Sequence, residues 1–266
     1  MKRLLKLFIA LLAFVAAGSC STVPLTGRRQ LSLVPESEMI SMSFTNYSDF
    51  LKTSALSTDQ ANAALVQEVG KNLSAAVVKY FANHGMSSRL NGYQWEFNLV
   101  NDNTPNAWCM PGGKVVVYTG ILPFTQDKNG LAVVLSHEIA HAVARHGNER
   151  MSQELITQFG SIALAEVIKD KPEQTRTIFN SAYGLGAQYG VMLPFSREHE
   201  LEADKMGLIF MAMAGYDPQT ATAFWERMAS MSGQKPPEFM STHPSDATRI
   251  ERIKEALPEA IPYYNK

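Results

Sequence analysis

The sequence predicts an α+β fold that is mostly helical and contains a small β-sheet. Apolar residues recur at spacings of three and four over residues 58–80, as on the buried face of a helix. Residues 93–99 alternate between apolar and polar side chains and residues 115–118 are continuously apolar, so both segments are predicted strands. After Gly120 the pattern is helical almost to the end, and strands followed by a run of helices are typical of this fold class.

The helices expected after Gly120 lie near residues 130–147, 150–169, 173–190, 196–214, 218–231 and 245–256. Within them, the stretch over residues 178–193 is apolar and rich in Gly and Ala. We interpret it as a closely packed internal helix. A turn at residues 111–113, with the sequence Pro-Gly-Gly, precedes the second strand.

The N-terminal segment has the organisation of an export signal. A basic start is followed by an apolar run over residues 7–17 and by small residues before Cys20. Residues 1–19 are therefore a predicted signal peptide, residues 20–57 a lipidated N-terminus with a tether or a partly helical segment, and residues 58–266 the main domain. The chain's 266 residues and 45% hydrophobic content suit one domain of this size.

Cys20 is the predicted lipidation site. Gly18-Ser19-Cys20 resembles the lipobox of bacterial lipoproteins, which implies a mature chain that begins at an acylated Cys20 and is held on a membrane. An ordinary signal peptide with a free Cys20 is the alternative. The resemblance also implies a location in the bacterial cell envelope, facing the periplasm, and Ser21 in place of Asp favours the outer membrane.

The charge balance gives no reason to expect nucleic acid as a partner. Three of the 24 basic residues lie within residues 1–19, so the mature chain has 21 basic and 25 acidic residues and a formal net charge of −4. With Cys20 acylated, Cys109 is the remaining thiol and no intramolecular disulfide can form.

The strongest chemical motif is H-E-x-x-H at residues 137–141. Four residues advance a helix by about 400°, so His137 and His141 lie roughly 40° apart on one face and can bind one metal ion. Glu138 lies beside the metal, where a general base can take a proton from an activated water. The motif predicts one Zn²⁺ per chain.

A catalytic zinc usually has three protein ligands, so a third is expected elsewhere. The metzincin pattern is excluded, because it would need Gly at position 144 and His at 147, where this chain has Ala144 and Gly147. A second predicted helix carries Glu200 and Asp204 one turn apart. Glu200 is the predicted third ligand, and Asp204 is predicted to accept a hydrogen bond from a liganding histidine.

These residues resemble the zinc metallopeptidases of the HtpX and CAAX-prenyl-protease type, especially their exported lipoprotein members. That family pairs H-E-x-x-H with a downstream E-x-x-A-D, present here at residues 200–204. Further landmarks occur at residues 24–31, 105–107, 111–113, 117–120, 144–147 and 242–244 and at Arg249. The resemblance implies a gluzincin fold, with the zinc site between the two motif helices, and endopeptidase activity.

Other site residues are less specific. His243 and Arg249 lie in a segment that the family folds over the site, so either can supply a donor to the oxyanion, while His243 can instead be a fourth zinc ligand or purely structural. Residues 106–109 are predicted to form an edge strand, with a loop as the alternative, and Asn106, Ala107 and Trp108 are predicted to bind extended peptides there. His146 and His199 are expected on solvated or outer surfaces rather than on the metal.

The leading functional hypothesis is a zinc endopeptidase that cleaves envelope or misfolded proteins, with protein or peptide substrates and unknown protein partners. A zinc-stabilised chaperone or assembly factor with latent protease activity is the second hypothesis. A structural lipoprotein in which the motif is fortuitous is the third.

Overall fold

A computed structural model describes residues 20–187, 193–230, 239, 243 and 247–264. The helices are α1 Glu36–Thr53, α2 Gln60–Asn83, α3 Leu122–Thr125, α4 Lys128–Ala144, α5 His146–Ile168, α6 Glu173–Ala187, α7 Leu193–Met213, α8 Thr220–Ser230 and α9 Ala247–Tyr264. The strands are β1 Cys20–Thr22, β2 Arg29–Leu31, β3 Glu96–Val100, β4 Ala107–Met110 and β5 Lys114–Tyr118. The mostly helical α+β fold is therefore confirmed.

The chain divides into two compact units. Unit 1 comprises residues 1–36 and 145–199, and unit 2 comprises residues 37–144 and 200–266. The proposed signal peptide, residues 1–19, lies outside the described residues. The domain boundaries after residues 19 and 57 remain predictions. None of the described helices has the length and apolar character needed to cross a membrane.

Unit 2 contains a three-stranded sheet in the order β3-β5-β4. β3 and β5 are parallel, while β4 runs antiparallel to β5 and forms an edge. α2 packs on β3, and α4 packs on both α2 and β4. Fourteen of the 17 residues of α4 are buried, so the helix that carries H-E-x-x-H is fixed on nearly every side. Such enclosure restricts the rotamers of its side chains.

The ends of two helices show how well the sequence sets boundaries. α2 begins where Asp59 caps it by accepting a hydrogen bond from the Asn62 amide at 3.0 Å, close to the predicted start. α9 instead continues to Tyr264, beyond the predicted end at residue 256. Pro258 normally disfavours a helical residue before it, yet the helix continues past it, and Ala260 in this last part is buried.

Unit 1 pairs a β-hairpin with two helices. β1 and β2 are antiparallel, and β2 packs on α5. Arg28 donates two hydrogen bonds to Glu149 of α5, at 2.9 and 2.7 Å, and Glu149 also accepts one from His199 at 2.8 Å. Burial alone would raise the pKa of Glu149, but these two donors outweigh it and lower the pKa to about 2. Glu149 is thus ionised, and its hydrogen bonds with Arg28 join the β-hairpin to α5.

Two predictions for unit 1 need correction, and one for α1 does not. His146 and His199 are buried and stack at 4.3 Å between ring centroids, so neither lies on a solvated surface, although both lie outside the cluster of possible metal ligands, as expected. The 18-residue helix α1 lies in the segment expected to be irregular or partly helical and agrees with the partly helical alternative. The described part of the stretch over residues 178–193 is not closely packed, because Ile178 and Phe179 of α6 are exposed, while residues 188–192 lie outside the described residues. Composition indicates an apolar helix but does not show which of its faces is covered.

Candidate metal centre

α4 brings the two motif histidines together as predicted. The Nε2 atoms of His137 and His141 lie 3.1 Å apart, and their rings are nearly perpendicular. His137 is almost completely buried, and His141 is partly buried. Two ring nitrogens that converge in this way present their lone pairs to a single point, which is the arrangement that one metal ion requires.

α7 supplies the carboxylate. Glu200 Oε2 lies 3.3 Å from His137 Nε2, and Glu200 Oε1 lies 3.3 Å from His141 Nε2. α7 can approach α4 closely because position 207 is glycine. A Cβ atom there would lie 3.1 Å from the His137 backbone nitrogen and 3.2 Å from Ser136. Gly207 therefore sets the spacing between the two helices that carry the donors.

His243 completes the cluster. Its Nδ1 atom lies 3.2 Å from His137 Nε2 and 3.0 Å from Glu200 Oε2. The backbone N–H of His243 donates to the Phe239 carbonyl at 2.8 Å, and the Phe239 ring lies against the imidazole at 4.8 Å. The structure thus brings together one ligand atom from each of His137, His141, Glu200 and His243, all within 4.8 Å of one another.

The donor set fits Zn²⁺. Zinc–nitrogen and zinc–oxygen bonds of about 2.0–2.1 Å in a tetrahedron place neighbouring ligand atoms about 3.3 Å apart. The measured separations that involve His137 or Glu200 are 3.0 to 3.3 Å. Nitrogen and carboxylate oxygen are both common zinc donors. Without a metal ion, these four acceptor atoms can be satisfied in a largely buried cluster only if protons lie between them.

Asp204 lies behind His137, on the side away from the donor cluster. Its Oδ1 atom is 2.9 Å from His137 Nδ1, which fixes the ring orientation and leaves Nε2 to face Glu200. Burial opposes the protonation of His137, but hydrogen bonds to Asp204 and Glu200 outweigh it and raise the pKa of His137 to about 9. A metal ion that binds Nε2 must therefore compete with a proton.

Arg249 of α9 orients Asp204. Its Nε and Nη2 atoms donate to the two Asp204 oxygens at 2.7 and 2.8 Å, and its Nη1 lies 3.1 Å from Glu200 Oε2. The guanidinium is buried and lies 3.6 Å from the ring centroid of Trp225. Burial works against the charge of Arg249, but Asp204 more than compensates and raises the Arg249 pKa. Arg249 thus contacts the two carboxylates rather than an open cleft.

Sequence reasoning missed two residues of this centre besides Gly207. Trp225 of α8 packs edge-on against His137 and faces Arg249, while Phe239 stacks on Trp225 and supports His243. Trp225 belongs to the apolar face of an ordinary amphipathic helix, and nothing local in the sequence separates it from a core residue. An aromatic residue that supports a cation is recognisable only from its tertiary contacts.

Glu138 has the environment of a base. It is buried, and burial raises the pKa of its carboxyl group. His243 Nε2 lies 3.3 Å from Glu138 Oε1, but Oε1 makes no hydrogen bond within the described part of the chain. A buried carboxylate oxygen without a hydrogen bond costs free energy, so its presence beside a metal-type cluster indicates a functional role.

The predicted edge strand is present as β4, and the loop alternative is excluded for residues 107–110. Tyr118 N donates to Asn106 O at 3.0 Å, so the antiparallel pattern directs the backbone groups of Ala107 and Cys109 away from β5. The Asn106 side chain accepts from the Ala107 amide at 2.9 Å. The side chain of Trp108 packs on Tyr47 and Phe50, on one face of the sheet.

Two histidines and a glutamate on adjacent helices, with a buried glutamate beside them, define a metallohydrolase centre of the gluzincin type. The comparison with protein families agrees, and the chain belongs to peptidase family M48, whose family model matches residues 60–257. The predicted class of enzyme is thereby confirmed at the level of the family.

The chain is similar to several curated proteins. It is 40% identical over 190 residues to the mitochondrial metalloendopeptidase OMA1 of Schizosaccharomyces pombe, a match that covers 71% of this chain and 53% of that protein. It is 31% identical over 247 residues to the Homo sapiens metalloendopeptidase OMA1, covering 90% and 46%. The beta-barrel assembly-enhancing protease of Escherichia coli is 27% identical over 174 residues, covering 63% and 35%. The chain thus spans about half or less of these relatives.

The contact between Arg249 and Asp204 leads to a prediction about metal affinity. Lysine keeps the charge of Arg249 but loses the two-pronged hydrogen bond, so Asp204 and His137 should be less well oriented. We expect Arg249→Lys to weaken zinc binding by roughly 10- to 100-fold, the usual effect of changing a partner that orients a metal ligand. Competition with a chromophoric chelator measures the affinity.

Arg252→Lys is the matched control for this change. Arg252 lies one turn further along α9, its side chain is 60% exposed, and it pairs with Glu255. The control should bind zinc like the original chain. Equal zinc affinity of the Arg249→Lys and Arg252→Lys proteins would contradict the role of Arg249 in orienting Asp204.

Proposed function

We propose that this chain is a zinc-dependent endopeptidase in which His137, His141 and Glu200 hold one Zn²⁺. The observation that carries the proposal is the convergence of these three donors at tetrahedral spacing beside the buried Glu138. Membership of a peptidase family and similarity to metalloendopeptidases support the same activity. When bound, Zn²⁺ supplies a Lewis acid that lowers the pKa of a water molecule to roughly 7.

Glu138 is the proposed general base. Its Oε1 atom takes the proton from the attacking water, and its buried position favours holding that proton. The same oxygen then returns the proton to the leaving amine of the cleaved peptide bond. Asp204 keeps His137 in the required orientation, and Arg249 acts through Asp204 as a positioning residue rather than as a donor to the oxyanion.

The edge strand β4 is the proposed binding site for the substrate backbone. Ala107 and Cys109 direct their backbone groups to the open edge, so an extended peptide can pair with them as a further strand. The Asn106 side chain already accepts a hydrogen bond from the Ala107 amide. A substrate carbonyl would replace that side chain as the acceptor. Trp108 would contribute through its backbone, because its side chain packs on Tyr47 and Phe50.

His243 is the proposed fourth zinc ligand. Its binding to zinc would keep the peptidase activity latent. Its Nδ1 atom is as close to His137 and Glu200 as the other donors are to one another, and a catalytic zinc needs one position for water. The substrate would then have to displace His243 before hydrolysis. The chain would cleave slowly, because His243 would hold the position that the attacking water needs.

The location is also a proposal. We infer that Cys20 is acylated and attaches the chain to the bacterial envelope on the periplasmic side, with the outer membrane favoured, as in the exported members of the HtpX and CAAX-prenyl-protease group. The substrates would be envelope or misfolded proteins. A chaperone or assembly factor with latent activity is the second candidate, and similarity to the beta-barrel assembly-enhancing protease of Escherichia coli supports it.

The proposed activity can be tested with an unfolded protein as substrate. We expect cleavage that a zinc chelator abolishes and that one equivalent of Zn²⁺ per chain restores. Elemental analysis should find one zinc per chain. Absence of zinc from the purified protein, or cleavage that persists in the chelator, would contradict the proposal.

Latency is tested by His243→Ala in the same assay. Removing the fourth donor opens a coordination position, so we expect cleavage to rise severalfold while zinc remains bound by the other three ligands. Phe239 should be left unchanged, because it packs on Trp225 in the core. A fall in cleavage on His243→Ala would instead favour the role of His243 as a donor to the oxyanion.

A further inference from the structure

The helical pair α5 and α6 of unit 1 carries an unusual concentration of exposed apolar side chains. Eleven large apolar side chains of the described residues are exposed, and six of these lie on the two helices. We call this set the hairpin face, and it consists of Ile156, Phe159, Ile162 and Val167 of α5 with Ile178 and Phe179 of α6. Phe159 is 67% and Val167 78% exposed. Clusters of this kind mark sites of protein or membrane contact.

α5 changes character along its length. Its first half buries polar residues, namely His146, Asn148, Glu149 and Ser152, which bind groups of unit 1. Its second half exposes apolar ones, and no charged residue occurs from Leu155 to Ala165. A helix that only faced water would show the opposite distribution.

The two helices support each other through a close contact, so the hairpin face is part of a defined structure. The Tyr183 hydroxyl donates to the Thr157 carbonyl at 3.0 Å. Gly160 lies directly beneath that tyrosine, since a Cβ atom at position 160 would overlap the Tyr183 hydroxyl. This contact orders α6 on α5 while the six apolar side chains remain exposed.

We propose that the hairpin face lies on the surface of the lipid bilayer that holds Cys20. This inference rests on the proposed acylation of Cys20. Cys20 is itself the first residue of β1 and pairs with Leu31 of β2, so no flexible spacer separates a lipid on Cys20 from unit 1. The lipid would bring unit 1 directly against the membrane.

Cys20, the proposed lipidation site, and the hairpin face belong to the same compact unit, unit 1. β2 packs on α5, and Arg28 binds Glu149 near the start of that helix. From there to Val167 the helix extends roughly 27 Å, at about 1.5 Å per residue. Once the lipid is inserted, contact between the hairpin face and the same bilayer is an intramolecular step, which adds to the affinity that the hairpin face has for lipid by itself. Peripheral helices with one apolar face bind membranes in this manner.

The test uses residues 21–266, which keep every described helix and every strand except the first residue of β1. This unlipidated chain is sedimented with vesicles of phosphatidylethanolamine and phosphatidylglycerol in equal parts. We expect it to bind, and we expect the triple variant Phe159→Ser, Ile162→Ser, Phe179→Ser to lose at least about tenfold in vesicle affinity. Cleavage of a soluble peptide and zinc content should not change, since these residues are in unit 1 and outside the metal centre.

The matched control is Met42→Ser, Val78→Ser, which removes two exposed apolar side chains from helices of unit 2. It should bind vesicles like the original chain. The proposal is overturned if the original chain does not bind vesicles, or if the triple variant and the control bind equally. It is also overturned if the only effect of the triple substitution is that a dimer dissociates. The same holds if its only effect is a loss of binding to unfolded protein. Mass spectrometry of the full chain tests acylation of Cys20 separately. Absence of the acyl group and absence of lipid binding by the hairpin face therefore give different results.

Discussion

Replacement of Glu138 by Gln is expected to lower peptide hydrolysis by at least about 100-fold, the usual contribution of a general base. Glutamine has the same shape but cannot take the proton from water. Glu138 is not among the clustered donors, so zinc should remain bound at one equivalent. The loss is best measured in the His243→Ala protein, where latency does not limit the rate, by following cleavage of an unfolded substrate.

Glu198→Gln is the control for this change. The side chain of Glu198 is 50% exposed, and it lies in unit 1. Its activity should match that of the parent. If Glu138→Gln retained cleavage, another base would have to exist. If cleavage disappeared while the cellular function of the full chain survived intact, the chaperone hypothesis would replace the peptidase.

The clustered donor residues on helices could be predicted because their geometry is local. His137 and His141 belong to one helix, and the angle between them follows from helical geometry alone. Glu200 and Asp204 likewise share a helix face, and the structure places one beside the donor nitrogens and the other behind His137.

The remaining parts of the centre depend on contacts between distant segments. His243 meets Glu200 across 43 positions of sequence, and Trp225 meets Arg249 through packing of α8 against α9. No spacing rule relates such residues. The role of Arg249 also depends on contacts between distant segments. The sequence predicted it as a donor to the oxyanion, whereas in the structure it contacts Asp204 and Glu200. The exposure of α6 was equally unpredictable from its composition.

Glu200→Gln is expected to weaken zinc binding by more than the roughly 100-fold upper range for residues that only orient a ligand, and to abolish cleavage. Glutamine keeps the size of the side chain, so the change removes the negative charge and little packing. Burial alone would raise the pKa of Glu200, but His141, His137 and His243 hold it well below its usual range. The Glu200 carboxylate is therefore ionised at neutral pH.

Melting temperatures separate this loss of a ligand from general damage to the fold. A ligand that binds the folded chain stabilises it in proportion to the logarithm of its concentration over its dissociation constant. Added Zn²⁺ should thus raise the melting temperature of the original chain and of Glu198→Gln, but hardly that of Glu200→Gln. If zinc stabilised Glu200→Gln as strongly as the original chain, the third ligand would have to be a different residue. His243, whose Nδ1 lies 3.2 Å from His137 Nε2, would then be the candidate.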